Sequence, residues 1–457
     1  MVPHAFVFMC LLINYLWNAD VVFIISYITL QYRKSMKKLI LAALAAVIFM
    51  PLCAQELDED SIPTRAVIVS GDKSQPEHRS NIALMYSREN LAFEDPAAPR
   101  FLFLDKKGEV ALGIGGYLKA VGEYDVNGAV DNNDFYTCKI PVPFDPAQRQ
   151  RFGATAAHST IFLKMVTRPT KVGRVIVYIQ TNFTGPSYGL RLNQAYVTVG
   201  HMTLGKARST FADGPAMAPT IDDQGPSGQV TAKNMLIQYI SPSWSGFSFA
   251  ASTEVPDVTY TEGMHATSIS QRFPDIPAYI QYAWDKGSSH IRLSGIFRQL
   301  SYRNLESRSN HFATGYGVQL SAITFFTPDF NFFGHYTYGK GIASYVNDLD
   351  GLGYDLIPDG STGKLKAPGV AGWTAGLQYN FTPKLFATAS YSRAQLYDTA
   401  GMPGDTYRYA QYIVANVFYN LWGDLRIGAE YIHGTRKDLS GMSGKANRLE
   451  AMLQYSF

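Results

Sequence analysis

Nine basic residues, Lys119, Lys164, Arg168, Arg174, Arg191, Arg292, Arg298, Arg426 and Arg448, share one setting: each lies on the polar side of a segment in which apolar and polar residues alternate. Only three acids, Glu123, Glu430 and Glu450, hold equivalent positions. Successive side chains of a strand point to opposite faces, so if the apolar faces meet an apolar surrounding, the polar faces gather around one interior. Guanidinium and ammonium groups on a low-dielectric wall attract anions, and an Arg fork pairs with carboxylate or phosphate through two parallel hydrogen bonds. Any one of these cations could simply neutralise a neighbour and hydrate the wall. The nine-to-three bias of the whole set argues for handling anions.

Other chemistry is poorly supplied. The nine His residues are dispersed, without the His-Glu-x-x-His pattern or a pair at metal spacing, and no phosphate-binding loop is present. Ser159 stands beside His158, but adjacent strand residues face opposite ways and cannot cooperate. No catalytic residue, metal or cofactor is expected, and an outer-membrane enzyme is the least favoured reading. Cys138 is the one Cys beyond residue 54, so neither an intrachain disulfide nor a Cys-based metal site is available there.

The elements that must position the cations follow from composition and pattern. The chain has 457 residues, 17% charged and 13% aromatic, with 29 Tyr and 39 Gly. Soluble domains are about one quarter charged, and past residue 54 no apolar run approaches the ~18 residues that a spanning helix needs. Residues 36–54 read as a secretory leader, with a basic start, an apolar stretch and a small residue at Ala54. Residues 1–35 then read as an upstream start extension, and Cys53 as a lipid anchor is disfavoured because Leu52 stands where a small residue is wanted. Without residues 1–54 the chain carries 36 basic and 36 acidic residues, which excludes nucleic acid as a partner.

From residue 109 onward, alternating segments are joined by two kinds of connection. Short ones with turn chemistry lie at 168–171, 198–201, 241–246, 285–288, 327–330, 381–384 and 421–424. Between them fall the other connections, most of them longer, at about 127–150, 184–188, 207–230, 257–275, 303–310, 344–367, 398–406 and 436–443. Strict alternation of seven turns with eight loops predicts sixteen antiparallel strands in an up-and-down transmembrane β-barrel, with short periplasmic turns and longer outside loops. A receptor with 22 strands and a plug would need a longer chain. Trp244, Trp284, Trp422, Phe330, Phe332, Phe381 and Phe386, in or beside the turns, predict one aromatic girdle. Tyr124, Tyr302, Tyr338, Tyr397 and Tyr407 predict the other. On the last segment Leu449, Ala451, Leu453, Tyr455 and Phe457 share the apolar face, and the terminal Phe resembles the signal read by the barrel assembly machinery. Residues 55–108, polar and acid-rich, read as a periplasmic extension.

Residues 207–230 hold three Gly, three Pro and the acids Asp213, Asp222 and Asp223, a composition for a compact loop that needs no large apolar face. Acids there, opposite a basic wall, would set a transverse field that orients charged solutes.

The stretches GGYLKAVGEYD at 115–125, RQRFGATAAHSTIFLK at 149–164 and above all LRLNQAYVTVGHMTLGKARSTFADGPAMAPTIDDQGPSG at 190–228 resemble the DcaP-type trimeric outer-membrane porins. The resemblance spans the barrel region. It implies a homotrimeric sixteen-stranded channel in the Gram-negative outer membrane, embedded in its lipid and preferring small anions such as dicarboxylates. The third outer loop, 207–230, would fold inward as in general porins. The family's lumen-arginine role carries onto Arg191 and onto Lys206 or Arg208. Some members add a coiled-coil stalk; Pro63, Pro76, Pro96 and Pro99 and the lack of a sustained heptad argue against one here. A sugar- or phosphate-selective pore is the alternative, with Tyr117, Tyr178 and Tyr412 as a sliding surface for sugars.

Overall fold

The computed structural model describes residues 67–70, 76–87, 91–96, 98–128, 130, 134–171, 173–360 and 364–457; the start extension, the leader and Cys53 lie outside them. In chain order the elements are β1 (Val67–Ser70), α1 (Pro76–Met85), β2 (Phe101–Leu104), β3 (Val110–Asn127), β4 (Arg149–Thr155), β5 (Thr160–Thr167), β6 (Val175–Gly185), β7 (Gly189–Val199) and β8 (Met202–Arg208). They continue with β9 (Lys233–Ile240), β10 (Phe247–Glu254), β11 (Ala266–Ser268), β12 (Ile276–Trp284), β13 (Ser289–Asn304), β14 (Ser309–Thr327) and β15 (Phe330–Lys340). The last are β16 (Ile357–Pro358), β17 (Leu365–Lys366), β18 (Gly369–Thr382), β19 (Leu385–Leu396), β20 (Tyr407–Trp422), β21 (Leu425–Asp438) and β22 (Ser443–Ser456). Counting β4 and β5 as two halves of one span, and setting aside the short β1, β2, β11, β16 and β17, sixteen antiparallel strands form the wall. The wall closes where β22 pairs with β3, from Ser456 opposite Tyr117 to Asn447 opposite Asn127.

Period two decides what faces where. On β14, Tyr316, Val318 and Leu320 are exposed while Gln319 and Ser321, which alternate with them, are buried, the reverse of a soluble protein. Such a wall is stable only with lipid outside, where its apolar band costs nothing. The tight connections fall where turn chemistry predicts them; Gly423, for example, takes φ +53° between β20 and β21, a backbone that a side chain would strain. Beside these turns Trp244 and Trp422 are 78% and 68% exposed, as a girdle at the lipid–water boundary requires. At the loop end Tyr124, Tyr338 and Tyr397 are exposed, but Tyr302 and Tyr407 are not. Both point inward: Tyr302 shares the face of Arg298 and packs with Leu300, Leu356 and Leu365, and the Tyr407 hydroxyl donates to Asp348 at 2.7 Å.

Several outer loops enter the barrel. Phe135 and Ile140, from the loop after β3, pack against Tyr412, Val414 and Ile432 of the wall. Tyr345, Val346 and Leu349, from the loop after β15, pack on Phe211 and Val230 of the 207–230 loop. The segment before β3 is also more than an appendage. β2 pairs with the lower part of β3, Phe101 opposite Ile114 through Leu104 opposite Ala111, taking over where β22 ends. Helix α1 seats Ile82 and Met85 on Leu102, Ala111 and Val166.

Candidate functional site

The 207–230 loop crosses the interior and is bonded to the inner wall at three places. At its start Asp213 is fully buried; it accepts from Ser321 Oγ (2.5 Å), meets His290 Nε2 (2.9 Å) and lies 3.5 Å from Arg292. At its tip the Ile221 and Asp222 amides donate to Glu430 at 2.7 and 2.9 Å, and the Lys119 ammonium pairs with Asp223 while donating to the Ile221 carbonyl at 2.7 Å. On its return the Gly228 amide donates to Ser392 Oγ at 2.8 Å. A Cβ on Gly228 would come within 2.2 Å of the Arg393 carbonyl, so only Gly lets the loop lie this close to the wall.

The loop acids therefore differ from the expected free charges. Asp222 accepts from the amides of Phe135, Gln224 and Gly225 and from the Tyr412 hydroxyl. Burial and the nearby Asp134 raise its pKa to about 6. Burial works the same way on Asp213, but Arg292 and His290 outweigh it and hold the carboxyl below its ordinary range. Buried acids with this many partners act as tethers: a carboxylate inside protein is tolerated only when donors satisfy it.

The nine expected interior cations fall into distinct groups. Arg298, fully buried, sits 3.0 Å from both Asp275 and Asp355. Arg448, equally buried, pairs with Asp125 (2.7 Å) and Glu123 (3.0 Å), with Glu450 at 3.7 Å. Arg292 donates to Gln281 (2.8 Å) and to the Ala212 carbonyl (3.1 Å), lies over the Tyr279 ring, and Lys119 is taken by Asp223. These four serve the architecture. Arg168 is at the turn end, exposed and 3.3 Å from Glu109, rather than deep in the interior. Arg191 is exposed; no ion pair or hydrogen bond of its side chain is found among the described residues, and its charge opposes, without cancelling, the upward shift that burial imposes on Asp350 of an outer loop. Of the other two positions carried over with it, Lys206 reaches only the Leu192 carbonyl, at 3.3 Å.

The remaining cations meet the segment before β3. Lys164 donates to the Leu84 and Met85 carbonyls at the end of α1 (2.9 and 3.2 Å), as a cation at a helix C-terminus should. Arg174 donates to Asn81 (2.6 Å) and Ser80. Arg208 donates to Asp95 at 2.9 Å and Glu94 at 3.3 Å. Phe93 packs on Phe386 and Phe418 of the opposite wall, with the Arg426 guanidinium 5.2 Å over its ring. Residues 93–95 thus lie inside the barrel, which corrects the expectation that all of 55–108 stays outside it. Lys233, the register partner of Arg208 across β8 and β9, belongs with this group and was not anticipated. A signal for the whole region is present in the sequence: residues 146–212 contain nine Lys and Arg and no acid.

Tyr117, Tyr178 and Tyr412 do not form a sliding surface. Tyr412 is bonded to Asp222, Tyr117 to the Glu94 carbonyl at 3.0 Å, and Tyr178 is stacked on Tyr196; all three are buried. Ser159 and His158 do not combine: the Ser159 hydroxyl accepts from the Lys119 amide, while His158 meets Asp134 at 2.8 Å. The stretch Gly185-Pro186-Ser187-Tyr188-Gly189 has hydrolase-elbow spacing, yet it joins antiparallel β6 and β7, whereas that motif works on a strand-to-helix turn. Among the described residues no group of three His, Cys, Asp or Glu side chains is placed to hold a metal.

Comparison with known proteins agrees with this architecture. The solved outer-membrane channel DcaP of Acinetobacter baumannii superposes with a TM-score of 0.67 at 20% identity, covering 78% of this chain and 99% of the channel. An anion-selective porin from Comamonas acidovorans gives 0.49 at 12% identity, over 76% and 100% of the two chains. No curated protein matches the chain. The family model described as Porin subfamily matches residues 108–451, and the chain belongs to that family: it is a porin channel of the Gram-negative outer membrane rather than an enzyme.

Proposed function

We propose that the channel passes small hydrophilic solutes with a preference for anions, dicarboxylates among them, and that residues 207–230 narrow it. The single observation behind this reading is the acid-free stretch 146–212, whose Arg191 and Arg208, with Lys233 beyond it, lie in a region where, among the described residues, no wall carboxylate is within ion-pair distance of them. Fixed positive charge in a low-dielectric passage raises the local concentration of anions and speeds their entry. The mature chain, cleaved after Ala54, works as a homotrimer, inserted through recognition of its C-terminal strand by the barrel assembly machinery. The Phe457 backbone is hydrogen-bonded to Gly116 at 2.8 and 2.9 Å, so that strand is also the seam at which the barrel closes. The test is the reversal potential of single channels in a KCl gradient, followed by current block with dicarboxylates, phosphate and neutral oligosaccharides. A potential of the anion-selective sign is expected, with carboxylates blocking best. A cation-selective sign would overturn the proposal, and block by phosphate alone would leave the channel but change its solute.

A further inference from the structure

One buried ion pair in the barrel differs from the other buried ones described above. Where the acids answering Arg298, Arg448, Arg292 and Lys119 stand on the wall or on an outer loop, the acids answering Arg208 stand on the segment that enters before β3. Asp95 is almost fully buried. Besides Arg208 it takes a hydrogen bond from Gln194 Nε2 at 3.1 Å and one from the Ala92 amide at 3.1 Å. Lys233 stands opposite Arg208 in register, and its ammonium donates to Asn193 Oδ1 at 2.9 Å; no carboxylate lies within ion-pair distance of it among the described residues. Arg208 and the Gln194 amide thus hold one short acidic segment, and Lys233 stands next to Arg208 with its charge not paired to a carboxylate among the described residues.

We propose that Arg208, Lys233 and Gln194 form a carboxylate-binding site in the channel, and that Asp95, with Glu94 beside it, is a tethered occupant that a free anion must displace. The inference rests on the channel reading above and adds to it a place and a competitor. The geometry supports displacement over permanent closure. The barrel wall is complete without residues 91–100, since β3 to β22 close through their own pairings. Around the acids the segment is held by Phe93 on the Phe386–Phe418 pair and by Tyr117 Oη donating to the Glu94 carbonyl, and it is anchored beyond them by Tyr86 Oη donating to the Pro99 carbonyl, the Arg100 amide donating to the Ile114 carbonyl and Arg100 on Asp424 at 2.5 Å. Those contacts keep Asp95 near its cations at an effective concentration in the millimolar range, as for any ligand on a short tether, so free carboxylate at lower concentration loses the competition.

The experiment uses the full mature trimer in planar bilayers, with succinate as the probe. The double variant Glu94→Gln, Asp95→Asn is expected to lower the succinate concentration for half-block by about ten-fold, the masking produced when the effective concentration of a tethered competitor is about ten times its own dissociation constant. Arg208→Gln is expected to abolish that block in either background. Phe93→Ala, which loosens the segment and leaves its charges in place, should give an intermediate shift. KCl conductance of the unmodified protein separately reports whether it is a channel. If it conducts and half-block moves less than two-fold in the double variant, the tethered-acid proposal is wrong while the channel stands. If it does not conduct, calorimetric titration of succinate into detergent-solubilised protein decides the site alone, and equal affinity with and without the two acids overturns it. Heat-modifiable gel migration identifies a misfolded variant, and the Phe93→Ala result then carries the test.

Discussion

On β3, β13 and β22 the interior cations Lys119, Arg292, Arg298 and Arg448 are answered by acids that belong to the same architecture. Arg298 is enclosed by Asp275 and Asp355, and Arg448 by Asp125 and Glu123. On β5 to β8 no acid occurs at all; Lys164, Arg174 and Arg208 are answered by carbonyls, an amide, a hydroxyl and carboxylates of the segment before β3, Lys206 by the Leu192 carbonyl, and Arg191 by no ion pair or hydrogen bond of its side chain among the described residues. One region uses charge to hold loops in place. The other turns its charge toward the segment that precedes the barrel, or, at Arg191, leaves it exposed. The positive character of the interior is therefore a property of one sector, and an average over nine basic residues conceals it.

Breaking the first region should have the largest effect. Arg448→Ala would leave the buried Asp125 and Glu123 with only the part-exposed Arg151, 2.9 Å from Asp125 and 3.8 Å from Glu123, as counter-charge, and removing one partner of a buried pair costs up to about 3–5 kcal/mol. The expected result is unfolding at distinctly lower urea in the heat-modifiable gel assay; unchanged migration would show that Arg448 is not an internal brace. Arg191→Glu, in the second region, should leave stability within ~0.5 kcal/mol, as surface changes do, yet move the reversal potential toward cations. That shift should shrink near 1 M salt, where the Debye length is about 3 Å. If Arg191→Glu destabilises the barrel without altering selectivity, the division between the two regions is wrong.

A smaller effect separates the loop acids by pH. The folded pKa of Asp222 is raised to about 6, so its contribution to loop stability is fully present below the unfolded value of about 3.9 and is lost as pH rises through 6. Asp213 is depressed, so its contribution is present above the unfolded value and is lost only as pH falls through its own low pKa. Between pH 5 and 8 only Asp222 of this pair titrates. Single-channel current noise should rise with a midpoint near pH 6 and lose that step in Asp222→Asn; a step persisting in the variant would assign it elsewhere. The smallest effect belongs to Arg168→Gln. Its exposed pair with Glu109 is worth about 0–1 kcal/mol, and neither selectivity nor gel stability should change measurably.

The strand number, their up-and-down order and the side of each strand that meets lipid were legible because they depend on local facts: a period of two and turn residues at strand ends. The closing pair of β3 and β22 follows once the strands are counted. What the interior residues do was decided by the tertiary structure. Asp222 and Asp223 look like free charges on a polar loop until that loop is laid against Glu430, Lys119 and the Phe135 amide, positions up to 209 residues away in sequence. Tyr302 and Tyr407 read as girdle residues, and became interior ones because in-folded loops supplied their partners. Residues 93–95 carry no pattern that announces a place inside a barrel. Whether a buried charge is free or paired depends on which distant groups desolvate it and which donate to it, and no period along the chain encodes that. The acid-free run 146–212 is the exception: composition alone guarantees that any carboxylate answering those cations must come from another part of the chain or from a solute.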